Sequence, residues 1–585
     1  MRERSGTRTE HAHRRIPAYL TAATLLTGAG LAAPPSSAAP ARPGPGGQAA
    51  TPVPVSAAAR PAVDGAVPGS DTDVDEIDLA RGDDQPGPDE PEQPVVASLR
   101  GRAERDYGLV GVTWRHGTAP DDVRVQVRTE DERGWSAWQE VHFHPGEGPA
   151  PDEEDGAVRD GTEPLWVGDG DGVDARILSA SGTAPADPRL TLVDPGAYPA
   201  PAATASGTGS AVAASPAVLI GRAHATSATT VSASAPKIVS RRGWGADPDL
   251  KERCDAPRRA RTVQMAFVHH TAGSNDYSRA QSPAIVRSVY AYHTQGNGWC
   301  DIGYNFLVDR FGTVYEGRAG GVNTPVRGAH AGDYNLKTVG VSLMGNFERA
   351  RPTRAMKRGL TRLLAWKLSS YYRYPRTKAR IAGSTFEKIS GHRDAMSTAC
   401  PGRYAYAFLP ALRRRVARAA GPIETPISRK WSALRRSGTD LGQPFRGETD
   451  SANTGRKTQF NRGWVFWNDR PGAHPVRGRI YHRYRAWGQA RGHLGYPRTD
   501  VWRIRGHRGS GQSFQRGRIY RTPRNGAVAV WGRIDRRYEG TGLARGRLGV
   551  PVRNQYRIRR GWAAGFQHGR ITWNTTTGRT TVKYY

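Results

Sequence analysis

Cysteine is scarce in this chain. Three residues, Cys254, Cys300 and Cys400, are spread over 585 positions, so at most one disulfide can form and one thiol is left over. Long apolar runs are scarcer still. After about Ala33 none approaches the ~18 residues that a membrane helix needs, which excludes a span from the mature chain. Acid is in deficit: 53 Asp plus Glu face 85 Lys plus Arg, a formal charge of +32. The deficit is sharpest from residue 421 onward, where roughly 34 bases meet about 8 acids. A surface of that sign suits an anionic polymer, whether nucleic acid, an acidic cell-wall component or anionic lipid, although arginine-rich solubility alone would produce the same composition. Large apolar side chains are few between about 40 and 94, where Pro, Ala, Gly and acids such as Asp71, Asp73, Asp75 and Glu76 predominate. A segment of that composition cannot bury enough surface to order itself, and disorder is expected there.

The N-terminus reads as an export signal over 1–39: Arg14 and Arg15, a mostly apolar stretch from Ala18 to Ala33, then small residues at Ser36-Ser37-Ala38-Ala39. The mature protein is therefore expected to be soluble and extracytoplasmic, which argues against nucleic acid as the partner. In an oxidising compartment two cysteines can pair. Cys254 and Cys300 flank a histidine pair at His269-His270, whereas Cys400 belongs to a later motif. The expected assignment is a Cys254–Cys300 disulfide and a free, metal-bound Cys400 thiolate, protected from mispairing by coordination.

Order is expected from Val95. Period-two alternation in Leu109–Trp114, Val123–Thr129 and Trp135–Trp138 predicts a small antiparallel β domain over 95–196. Asp169, Asp171 and Asp174 lie in a Gly-rich run that lacks the spacing and closing Glu of a calcium loop, and a hairpin turn is expected instead. An Ala/Ser/Thr linker follows at 197–237. The third region, 238–420, alternates strands and helices: a strand at Val263–Val268, a helix from Ser282-Pro283, strands at Tyr304–Asp309 and Val339–Met344, a helix over Thr353–Tyr371 and a last helix after Pro401. The expected fold class is α/β, a mixed central β-sheet flanked by helices. From 421 to 585 the chain repeats itself: Leu441-Gly-Gln-Pro, Leu494-Gly-Tyr-Pro and Leu548-Gly-Val-Pro recur at 53 and 54 residues, each followed by Phe460, Phe514 or Phe566 in register. A fixed period implies stacked copies of one unit, and a binding array rather than a second enzyme.

The chemistry concentrates in the third region. Phe267-Val-His-His-Thr-Ala ends an apolar run, and Gly391-His-Arg-Asp-Ala-Met-Ser-Thr-Ala-Cys400 lies far downstream. Two imidazoles and one thiolate leave one tetrahedral position open, the pattern of a catalytic rather than a structural zinc. Such a site lowers the pKa of water to about 7 and polarises a carbonyl, which points to hydrolysis of an amide or ester. Neighbouring strand residues face opposite ways, so one of His269 and His270 binds metal and the other packs. The residues alone do not choose between them.

The same motifs, together with Tyr290-Ala-Tyr-His293, Gly298-Trp-Cys-Asp-Ile-Gly-Tyr304-Asn-Phe, Val314-Tyr-Glu-Gly-Arg318, Gly328-Ala-His330, and Gly340-Val-Ser-Leu-Met-Gly-Asn346, resemble the peptidoglycan recognition proteins. These belong with the zinc-dependent N-acetylmuramoyl-L-alanine amidases. The resemblance spans about 240–415. It implies a groove with Zn2+ on its floor held by His269, His392 and Cys400, and catalytic roles for Tyr304 and, where some relatives carry lysine, Thr398. It further implies substrate contacts from His293, Arg318, His330 and Asn346. Members that only bind peptidoglycan tend to lack one metal ligand, most often the cysteine, and this chain retains all three. Where many relatives read Gly-Trp after Glu-Gly-Arg, this chain has Ala319-Gly320. The C-terminal copies resemble degenerate Leu-Gly-Phe-Pro modules of actinobacterial wall proteins. The expectation is therefore a secreted, wall-associated amidase acting on peptidoglycan, with anionic wall polymers as partners of the repeats. A peptidoglycan-binding protein without turnover is the alternative.

Overall fold

The computed structural model describes residues 72–81, 93–132, 134–150, 158–197, 233–251 and 256–585. The expected export signal, most of the 40–94 and 197–237 segments, and Cys254 lie outside the described residues.

The first domain is a nine-stranded antiparallel sheet whose main path runs Asp73–Asp78, Arg189–Asp194, Val95–Arg115, Leu165–Leu178, Arg124–Asp131, Gly134–Trp135. Order thus begins before Val95. Asp73–Asp78 pairs in full register with Arg189–Asp194, Arg189 binds Glu76 at 2.8 Å, and Ile77 packs on the sheet's core. The acidic segment has no core of its own and borrows one from a strand more than a hundred residues away. The aspartate run differs from expectation too. It lies inside the Leu165–Leu178 strand, not in a turn, and buried Asp174 binds Arg128 at 2.7 Å. A buried carboxylate needs such a partner.

The second sheet has six strands in the order Ile238–Val239, Val314–Glu316, Phe306–Val308, Thr338–Leu343, Met265–His270, Ile389–Gly391. Met265–His270 is parallel to both its neighbours and all six of its residues are buried, as expected of an apolar run in a parallel sheet covered on both faces. Three helices accompany it: α1 (Ser282–Ala291), α2 (Arg354–Ser370) and α3 (Arg403–Ala420). Helix α2 starts where Thr353 Oγ1 accepts the Met356 amide at 3.0 Å, an N-cap of the usual kind. Its Met356, Leu360, Leu363, Leu364 and Leu368 share a core with Val268, Val308 and Leu343 of the sheet and with Leu409, Leu412 and Val416 of α3. Helix α1 packs differently. Its Ile285 and Val289 join Leu307 of the sheet, Met344 just beyond it, and also Leu109, Trp166 and Val193 of the first domain. Buried Arg287 of α1 donates to the Pro195 and Trp244 carbonyls at 2.9 and 3.0 Å. The two domains therefore share a core.

Each C-terminal repeat is a four-stranded antiparallel sheet. The first repeat follows helix α4 (Pro426–Arg436), and helices α5 (Gly478–Ala486) and α6 (Gly532–Glu539) lead into the second and third. The recurrent residues build these cores: Leu441, Leu494 and Leu548 are buried, as are Phe460, Phe514 and Phe566. Tyr484 donates to the Gly495 carbonyl at 2.8 Å and Tyr538 to that of Gly549 at 2.6 Å, so each helix is pinned to the Leu-Gly turn that opens the next repeat. The first repeat is joined to the second domain as well. Tyr372 donates to Glu448 Oε2 at 2.7 Å, the same oxygen that Thr425 binds from within the repeat region at 2.8 Å, and Arg373 donates to Gln443 at 3.1 Å.

Candidate metal centre

The parallel strand Met265–His270 delivers His269 at its C-terminal end, and the short strand Ile389–Gly391 beside it delivers His392 in the turn that follows. The loop between His392 and α3 then brings Cys400 back to the same point. The donor atoms of His269, His392 and Cys400 all lie within 4.8 Å of one another. His269 Nδ1 stands 3.8 Å from Cys400 Sγ. Zn–N and Zn–S bonds of about 2.0 and 2.3 Å at the tetrahedral angle would place these atoms about 3.5 Å apart. His392 Nδ1 is buried without a hydrogen-bond partner, the signature of a lone pair reserved for another ligand. These observations fit a bound zinc ion.

The rest of the surroundings orient the donors. With its proton on Nε2, His269 donates to His330 Nδ1 at 3.1 Å and keeps its Nδ1 lone pair toward Cys400. The His330 ring sits in a slot made by two glycines: a Cβ at Gly328 or Gly340 would come within 2.4 Å of it. His330 was expected to touch substrate, but it is fully buried behind His269. A ligand histidine fixed by an outer partner is the usual construction of a metal site. His270 Nδ1 accepts the Phe347 amide at 3.2 Å and its own backbone amide donates to Cys400 Sγ at 3.4 Å, while its side chain forms a second potential metal-holding group with Glu163 and Cys400.

Burial, then the neighbouring imidazoles, hold His269 and His392 well below the usual histidine range, so both are neutral and able to ligate. Burial, then Glu163 and Glu147, push the Cys400 thiol up; a bound cation reverses that preference. Among the described residues Cys400 is the free cysteine. The expected Cys254–Cys300 pairing falls partly outside those residues.

Tyr304 packs its ring 5.4 Å from that of His269, and burial raises its phenol well above the usual range. It stays protonated and can donate. Thr398 Oγ1 accepts the Cys400 amide at 2.9 Å, which shapes the ligand loop. His293 accepts the Gly303 amide at 3.1 Å and stacks on Trp299 at 4.5 Å; burial lowers its pKa to about 3. Arg318 donates to the Asp301 and Ile302 carbonyls at 3.4 and 3.3 Å. Asn346 exchanges backbone hydrogen bonds with the Asn275 side chain. These three thus hold loops of the wall.

Two carboxylates and a histidine at the centre come from the first domain and were not expected. Glu147 Oε1 lies 3.9 Å from His392 Nδ1, and burial raises its pKa to about 7. Glu163 Oε1 lies 3.6 Å from His270 Nε2 and 3.3 Å from His144 Nε2. Burial opposes its charge, but His270 and then His144 bring its pKa down to about 2. His144 Nε2 also meets Thr398 Oγ1 at 2.9 Å. Over a hundred residues separate these groups from His269, and the only local signal is the histidine pairing in His142-Phe-His144.

A His, His, Cys cluster at the edge of a mixed sheet could hold a metal ion. Known proteins with similar sequences point the same way. The family model for N-acetylmuramoyl-L-alanine amidase matches residues 259–403, the Rv3811 N-terminal galactose-binding domain-like model matches 62–203, and the LGFP repeat matches 441–492 and 494–546. Peptidoglycan recognition protein 1 of Bos taurus is 37% identical over 173 residues, 29% of this chain and 82% of that protein. Peptidoglycan-recognition protein SC2 of Drosophila melanogaster is 34% identical over 165 residues, 28% of this chain and 80% of that one. Among solved structures, Drosophila PGRP-LB aligns at 28% identity and a TM-score of 0.26, covering 30% of this chain and 93% of that one. The chain belongs to the peptidoglycan recognition protein family, with LGFP repeats at its C-terminus. That membership supports peptidoglycan binding or amidase activity. No helix among the described residues is long and apolar enough to cross a membrane.

Proposed function

We propose that the protein is a secreted, wall-associated, zinc-dependent N-acetylmuramoyl-L-alanine amidase that cleaves the amide between N-acetylmuramic acid and L-alanine in peptidoglycan. The observation that carries this reading is the convergence of His269, His392 and Cys400, a three-donor set with a position left for chemistry. When bound there, zinc would activate water and polarise the scissile carbonyl. The chain's own residues supply the rest. His330 fixes the His269 tautomer, Thr398 holds the Cys400 loop, and the Tyr304 hydroxyl donates toward the oxygen on which negative charge develops. His293, Arg318 and Asn346, whose contacts also hold loops beside the centre, are the candidates for holding substrate. Cys400 being the free thiol supports a Cys254–Cys300 disulfide and hence export. The basic repeats suit anionic wall polymers.

The alternative is peptidoglycan binding without turnover. Purified protein is expected to carry zinc and to release stem peptides from peptidoglycan, and Cys400→Ser to lose both. Equal release by zinc-loaded parent and Cys400→Ser, in the closed form and in the opened variant described next, would sink the enzymatic reading.

A further inference from the structure

The metal centre is covered. His269 and His392 are 0% exposed, Cys400 1% and Tyr304 3%, although a polymer-cleaving site must admit a glycan strand. The cover is formed by two segments of the first domain, Phe143–Gly148 and Arg159–Pro164. Asn335 Nδ2 donates to the Gly148 carbonyl at 2.7 Å, the Arg159 amide donates to the Asn297 carbonyl at 3.0 Å, and Tyr292 donates to the Thr162 carbonyl at 3.0 Å. Gly148, at φ +116°, lies on the Trp299 ring, where a Cβ would come within 2.7 Å of it. His144, Glu147 and Glu163 reach inward from these segments to Thr398, His392 and His270.

The space left beneath is a cavity of about 20 Å³ lined by His144, Glu147, Glu163, His293, Trp299 and Tyr304. That admits one water molecule; ligand sites run to several hundred Å³. On the outer side a cleft of about 440 Å³ opens between the domains, lined by Glu147, Asp160, Tyr334 and Met396 among others. Glu147, Arg159 and Asp160 line both spaces and form the partition between them.

We propose that these two segments form a cap that keeps the metal centre latent, and that substrate gains access when the cap is displaced and Glu147 swings out of the partition. The inference rests on the amidase reading of the centre. The packing divides the first domain in the manner this requires. Its body is held on α1 by the apolar contacts of Leu109, Trp166 and Val193 and by Arg287, whereas the cap, whose Arg159–Gly161 pairs with Thr113–Arg115 of the body, meets the second domain through hydrogen bonds, ion pairs and the Gly148–Trp299 contact. Each of those contributes little net free energy when water can replace the partner, so the cap opens locally while the domains stay joined.

Alkylation of Cys400 by iodoacetamide in metal-free, full-length protein, followed by peptide mass spectrometry, measures opening without relying on zinc. Wild type is expected to react far more slowly than the urea-unfolded chain. Gly148→Ala places a methyl against Trp299 at a positive φ, and should accelerate alkylation about 5- to 30-fold. Glu147→Ala, which adds no strain, should accelerate it in the same direction and serves if Gly148→Ala does not fold. Release of stem peptides by zinc-loaded protein should rise in the same order. Wild-type alkylation at the unfolded rate, or folded variants with an unchanged rate, would overturn the cap. Failure of every variant to take up zinc would instead refute the amidase reading, while the alkylation rates would still decide for or against the cap.

Discussion

Replacing His330 by alanine tests whether this buried ring serves the metal or the substrate. Its Nδ1 is 3.1 Å from His269 Nε2, and it has no exposed surface. Alanine would leave the His269 N–H buried without an acceptor, a cost of about 1–3 kcal/mol, and would free the ligand ring to rotate. Loss of such an outer partner typically lowers metal affinity about 10- to 100-fold, equivalent to ~1.4–2.7 kcal/mol. The slot between Gly328 and Gly340 excludes larger rings, so His330→Asn, whose Oδ1 stands near the lost Nδ1, is the rescue variant. Zinc competition against a chromophoric chelator should show weaker binding for His330→Ala and partial recovery for His330→Asn, with both metal-free proteins folded by thermal melting. Unchanged zinc affinity in His330→Ala with a raised KM would refute the argument and return His330 to the substrate groove.

Lys367 offers a pH test away from the centre. It is 2% exposed, its Nζ donates to the Val322 and Thr324 carbonyls, and burial lowers its pKa from 10.5 to about 7. Between those values the unfolded chain binds the proton and the native one does not, so this lysine costs stability progressively as pH falls from about 10.5 to 7. In urea unfolding the difference between wild type and Lys367→Met should move toward methionine by a few kcal/mol from pH 10 to pH 7; a pH-independent difference would refute it. Deleting 430–585 is expected to abolish pelleting with purified cell walls, and unchanged pelleting would remove the repeats from wall attachment.

The parts of the molecule that were legible in the sequence are those whose signals are local. The helix read over Thr353–Tyr371 runs Arg354–Ser370, because its cap and its apolar stripe lie within the segment itself. The strand that delivers His269 lies two residues later than expected, at Met265–His270, since the histidines pair with Ser342 and Leu343 and continue the ladder that the apolar run begins. What was not legible depends on distant partners. Asp73–Asp78 is a strand only because Arg189–Asp194 presents a free edge to it. His269 and His270 each group with Cys400, the first with His392 and the second with Glu163, so the choice between them rests on the distant His392, and the carboxylates at the centre come from a different domain. The repeats were visible as a period, but the period concealed that their leucines and phenylalanines are core residues rather than a binding face.

The join between Tyr372, Thr425 and Glu448 has a consequence for how such an enzyme could work on a solid substrate. An amidase on a flexible tether sweeps a volume set by the length of its linker, and can cut any bond inside it. Here the first repeat shares half-buried hydrogen bonds with the second domain, and each later repeat is pinned to the one before. If the chain is the wall-anchored amidase proposed above, the repeats would therefore set a fixed distance and orientation from the point of attachment to the bond that can be cut. Such an anchor would act as a ruler, and the spacing of accessible bonds in the wall, rather than the local concentration of enzyme, would limit how many it can reach from one position.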